Sequence, residues 1–93
     1  MDHLDHVMLL RDGVHGGGET WADLGSGEGA FTLALADLLG PSGSIYSVDR
    51  DKRALEVQLR TLRDAFPNVS VTPLVADFSR TLELPPLDGI VMA

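Results

Sequence analysis

The stretch Asp23-Leu24-Gly25-Ser26-Gly27-Glu28-Gly29-Ala30 constrains this chain of 93 residues more than any other. It follows a short run of strand formers, Thr20 to Leu24. It precedes Ala30 to Leu39, a segment rich in Ala and Leu that reads as a helix closed by Gly40 and Pro41. Glycine tolerates positive φ and lets the backbone come close to a ligand. The helix that opens behind the loop presents free N–H groups and the positive end of its dipole, a setting for a carboxylate or phosphate. Glycines alone mark many plain turns; the strand–loop–helix context is what points to a ligand. A Walker A phosphate loop is excluded, because no Gly-Lys-Ser/Thr follows the glycines.

The rest of the chain supplies a frame for this loop. Met1 to Leu10 reads as a helix with Leu4, Val7 and Met8 at helical spacing, and Arg11 to Gly18 as a turn. Residues 1–18 thus precede a larger unit, 19–93. Ser44 to Val48 reads as a second strand. Asp51 suits the N-cap of a helix whose Leu55, Leu59, Leu62 and Phe66 share one face. Val69 to Val75 reads as a third strand, where Pro73 suits an edge. Ala76 to Pro86 is a connection and Leu87 to Ala93 a fourth strand. Strands alternating with helices predict an α/β fold with a parallel sheet and right-handed crossovers. Ligands of such sheets sit at the carboxyl ends of the strands. The connection after the third strand is short and holds Pro85-Pro86, so the helices fall mainly on one face. The N-terminal segment is then what could cover the other.

Composition narrows the function. Fourteen Asp and Glu against seven Lys and Arg give a net charge of −7, which argues against nucleic acid as partner. No apolar run approaches a membrane span, and the cytoplasm is the expected location. Cysteine is absent, which removes disulfides, thiolate metal sites and a cysteine nucleophile. His3 and His6 lie three apart, but spacing fixes no acidic ligand beside them; a solvated helix explains them better, and no metal site is expected.

Two further acidic positions fit a nucleoside. Asp49 ends the second strand, twenty residues past Gly29, where a carboxylate can accept hydrogen bonds from both ribose hydroxyls. Asp77-Phe78 follows the third strand and could read the amino edge and face of an adenine, although a plain strand-end turn explains the pair equally well. The spacing Gly25-x-Gly27-x-x-Ala30 also fits a relaxed dinucleotide fingerprint, so an NAD-type module stays open at this level. So does a self-assembling fragment without ligand. Trp21 reads as a packing residue.

These segments together resemble the class I S-adenosylmethionine-dependent methyltransferases. Trp21 to Ala34 is similar to their first motif, Ile45 to Asp51 to the second, Val75 to Phe78 to the third and Leu87 to Ala93 to the start of the fourth. The similarity leans toward the ubiquinone/menaquinone-biosynthesis type. The resemblance implies a Rossmann-like half-sheet of four parallel strands in the order 3-2-1-4, with S-adenosylmethionine as cofactor and S-adenosylhomocysteine as product. It implies that Asp23 and the backbone of Gly25, Ser26, Gly27 and Gly29 hold the methionine moiety. Asp49 would take the ribose, Arg50 would flank the adenine, Asp77 would meet its amino group and Phe78 its ring nitrogen. Ala93 sits where members of the family run on toward methionine- and substrate-contacting residues. Such members continue with three more strands, so this chain is expected to hold the cofactor half, without most of the acceptor pocket. An apolar fourth strand left at the edge of the sheet, or an open sheet face, then predicts a homo-oligomer.

Overall fold

A computed structural model describes residues 2–15, 18–77 and 82–92. The elements run α1 (His3–Leu10), β1 (Thr20–Leu24), α2 (Ala30–Leu39), β2 (Ser44–Asp49), α3 (Lys52–Ala65), β3 (Ser70–Val75) and β4 (Gly89–Met92). The four strands are parallel and ordered β3-β2-β1-β4, as the family resemblance implies. Local chemistry sets the boundaries. Asp2 caps α1 in a capping box with Asp5. Asp51 caps α3 by accepting from the N–H groups of Arg53 and Ala54. Gly40, at φ 69°, ends α2.

Alternation along the strands divides the core. On one face Trp21, Ile45 and Val91 meet Leu35, Ala36 and Leu39 of α2 and Leu62 of α3. Trp21 is a packing residue, as expected: its ring lies over Gly89, where a Cβ would come within 2.4 Å of it. On the other face Ala22, Leu24 and Val48 pack with Leu82, Leu84 and Leu87. The N-terminal helix therefore does not cover this second face; the connection after β3 does. The reason lies in the turn after α1, which carries Leu10 and Val14 into the core beside Trp21. That places α1 along α2, with the His6 ring edge-on to Phe31 at 4.7 Å and His3 Nε2 2.9 Å from Asp37 Oδ2. Leu4 and Met8, the apolar positions at helical spacing, point outward.

Both edges follow from backbone parity. In a parallel strand the N–H and C=O of one residue point to the same side, and the next residue points to the other. The Ala76 N–H donates to the Asp49 carbonyl, so Leu74 and Thr72 face β2 and Pro73 faces outward. The missing proline N–H thus removes no ladder bond. The Asp88 N–H donates to the Thr20 carbonyl, so Gly89 and Val91 present their backbone groups outward on the β4 edge. Asp88 also accepts from the Thr20 N–H through Oδ2 at 2.7 Å, which pins the start of β4 to β1.

Candidate functional site

The glycine loop sits at the carboxyl ends of β1 and β2, where the topology places ligands. Its first turn is tied to β2: the N–H groups of Gly25 and Ser26 both donate to the Val48 carbonyl, at 2.8 and 3.0 Å. Gly25, Gly27 and Gly29 all have positive φ. Two of them serve different needs. At Gly29 (φ 95°) a Cβ would stand 2.8 Å from the Cβ of Gln58, so the loop can lie against α3 only without a side chain there. At Gly27 (φ 56°) a Cβ would meet nothing within 4 Å. That space lies open beside the backbone where a ligand would approach. Gly29 is also the N-cap of α2 and makes no side-chain cap, so no side chain competes for that end of the helix.

Asp49 is already oriented. Its Oδ2 accepts from the Gly27 N–H and its Oδ1 from the Asp51 N–H, both at 2.8 Å. Each oxygen keeps a further lone-pair direction, so the carboxylate can still accept two hydroxyl hydrogens. Arg50 and Asp77 are exposed, at the carboxyl ends of β2 and β3. Phe78 and Ala93 lie outside the described residues.

Beneath the loop lies a buried polar network that the sequence did not reveal. Asp23 is 1 % exposed and accepts from the Thr32 hydroxyl at 2.7 Å. Its side chain thus faces α2 rather than the open side of the loop. Burial pushes its pKa up to about 6, helped by the negative charge of Asp49; the Thr32 hydrogen bond pulls the other way. The Thr32 oxygen lies 3.2 Å from Ser47 Oγ. Ser47 in turn approaches Gln58 Oε1 at 2.7 Å and Ser26 Oγ at 2.8 Å. Gln58, fully buried, donates from Nε2 to Ser26 Oγ and to the Gly27 carbonyl, both at 2.9 Å. The α3 face is thus Leu55, Gln58 and Leu62, with Leu59 and Phe66 only partly buried. The one available signal was position: Gln58 falls three after Leu55 and four before Leu62.

Among the described residues no group of three or more His, Asp or Glu could hold a metal ion. None of the helices is long and apolar enough to cross a membrane.

A family model described as "Methyltransferase domain" matches residues 15–85. A "probable cobalt-precorrin-6B C(15)-methyltransferase (decarboxylating)" of Thermoplasma volcanium is 32 % identical over 71 residues, 76 % of this chain and 35 % of that protein. Among solved structures, coclaurine N-methyltransferase bound to N-methylheliamine and S-adenosylhomocysteine superposes with a TM-score of 0.78 at 23 % identity. That match covers 97 % of this chain and 26 % of the other. A SAM-dependent O-methyltransferase from Thermotoga maritima gives 0.73 at 24 % identity, over 98 % of this chain and 33 % of its own. A SAM-dependent methyltransferase from Aquifex aeolicus gives 0.74 at 23 %, over 95 % and 47 %. The chain spans about a third of the length of the curated relative it matches.

Proposed function

Because the chain belongs to the methyltransferase-domain family, we propose that it binds S-adenosylmethionine as the cofactor-holding part of a methyl-transfer enzyme. The observation that carries this reading is the joint placement of Gly27 and Asp49. Space stands open beside Gly27, whose N–H donates to the Asp49 carboxylate at 2.8 Å, which supports reading the two as one ligand position. Asp49 would accept from the two ribose hydroxyls. The backbone of Gly25, Ser26, Gly27 and Gly29 would line the methionine end, whose carboxylate suits the uncapped start of α2. Asp23 would support that end from below, by fixing Thr32 in the first turn of α2. Asp77 would accept from the adenine amino group, and Arg50 would flank the ring. Phe78 and Ala93 would complete the adenine and methionine ends.

When bound, the cofactor would supply an electrophilic sulfonium methyl: an acceptor nucleophile would bond to its carbon while the C–S electron pair goes to sulfur and S-adenosylhomocysteine leaves. The contribution of this chain is alignment: holding the nucleoside and the amino-acid end at two fixed points directs the methyl group between them. The ubiquinone/menaquinone-type likeness offers a class of acceptor, as does the corrinoid-type precursor named for the Thermoplasma relative.

Titration calorimetry with S-adenosylmethionine, S-adenosylhomocysteine and NAD tests the reading. Both sulfur nucleosides are expected to bind, and Asp49→Ala to weaken them at least tenfold. Binding of NAD alone, or unchanged nucleoside affinity in Asp49→Ala, overturns it.

A second reading concerns assembly. The β4 edge offers the outward-facing backbone of Gly89 and Val91, flanked by Ile90 at 55 % and Met92 at 64 % exposure. The β3 edge is blunted by Pro73. We propose that this chain alone pairs with a second copy through β4 or the adjoining sheet face.

A further inference from the structure

We propose that Gln58 is a positioning residue for the cofactor site: from the buried face of α3 it locks the Gly27 carbonyl and so sets the peptide that meets Asp49. The inference rests on the cofactor reading above. Gly27 is held from both sides. Its N–H donates to Asp49 Oδ2, and its carbonyl accepts from Gln58 Nε2. Because a carbonyl only accepts, the amide nitrogen of Gln58 must face Gly27, which fixes Oε1 toward Ser47.

The hydrogens of this cluster can then be assigned. Gln58 Oε1 cannot donate, so the single hydrogen of the Ser47 hydroxyl goes to it. The second hydrogen of Gln58 Nε2 goes to Ser26 Oγ. The Gln58 amide thus donates twice and accepts once, all inside the fold. A flexible amide is thereby held in one orientation. Gln58 also packs its stem against Gly29, where any side chain would collide. One side chain on α3 thus governs the conformation of the loop at Ser26, Gly27 and Gly29, touching no part of the proposed ligand position itself. A Gln at this point is costly to bury unless its bonds are made, and here they are made to the loop.

The test uses Gln58→Met, which keeps the volume and removes the polar bonds, and Gln58→Asn, which keeps the amide but falls short of Gly27. Ser47→Ala is the control: it removes the bond to Gln58 Oε1 and leaves the Gln58–Gly27 bond in place. In the ligand-free chain, hydrogen exchange at the Gly27 amide is expected to speed up at least tenfold in both Gln58 variants, with Ala22 and Val48 in the strands unchanged. The dissociation constant for S-adenosylhomocysteine is expected to rise about tenfold in both, and less than threefold in Ser47→Ala. Equal losses in Ser47→Ala, or unchanged Gly27 exchange in whichever Gln58 variants fold, overturn the proposal. A wild-type chain that ignores S-adenosylhomocysteine overturns the cofactor reading instead; the exchange measurement then still decides whether Gln58 locks the loop.

Discussion

Asp23 shows how a single buried group sets a pH dependence. Its folded pKa of about 6 lies above the ordinary 3.8, so the folded chain holds this proton more tightly than the unfolded one. The favourable contribution is complete below pH 4 and is lost as pH rises through about 6. The cost of keeping Asp23 charged above that range is roughly 3 kcal/mol, from about 1.4 kcal/mol per pH unit. Asp23→Asn, which stays neutral and can still accept from Thr32, is therefore expected to gain stability relative to wild type between pH 4 and pH 6.5. Thermal unfolding of both proteins across that range measures the difference; a pH-independent offset would contradict the assignment. Gly29 makes a second residue-scale prediction. Ala there meets an unfavourable φ of 95° and the Gln58 Cβ at 2.8 Å. Denaturant unfolding of Gly29→Ala is expected to show a loss of about 2–4 kcal/mol. The glycines and Asp49 were legible in the sequence, because a backbone that turns left-handed and a carboxylate at a strand end leave residue-type signatures. Gln58 and the buried turn of Asp23 toward Thr32 were not. Polar residues read as surface until a neighbouring element supplies their partners.

Elements were more legible than their packing. The strands and helices lie within two residues of the boundaries that periodicity and caps suggest, since Asp51, Gly40 and the prolines act locally. The edge place of β3 was likewise readable from Pro73. The position of α1 was not, because Leu4, Val7 and Met8 suggested a stripe while His3, His6 and Leu10 contact the rest of the fold. A histidine ring serving as an edge-on partner for Phe31 carries no pattern in the sequence. At the β1–β4 contact, Gly89 admits the ring of Trp21. Gly89→Val is expected to destabilise the chain by at least about 2 kcal/mol, because a side chain at 2.4 Å from a buried indole must displace it. Unchanged unfolding would mean that β4 does not pack against Trp21 as described.

For the whole molecule, the sheet combines one face packed by helices with another on which, among the described residues, Leu82, Leu84 and Leu87 of the connection after β3 lie. Longer proteins of known structure share this fold over nearly all of this chain. Taken alone, the chain is expected to self-associate through β4, and Met92→Lys to shift it toward the monomer. Light scattering at high micromolar concentration reads this directly, and a folded wild-type monomer there would contradict it. The central claim, that the loop and Asp49 form one cofactor site, is tested most directly by nuclear magnetic resonance titration of the labelled chain with S-adenosylhomocysteine. Saturable amide shifts centred on Gly25 to Gly29, Asp49 and Asp77 are expected, with α1 and the groove between α3 and β3, lined by Leu62, Phe66 and Val71, unmoved. Shifts confined to that groove, or none at millimolar ligand, would contradict it.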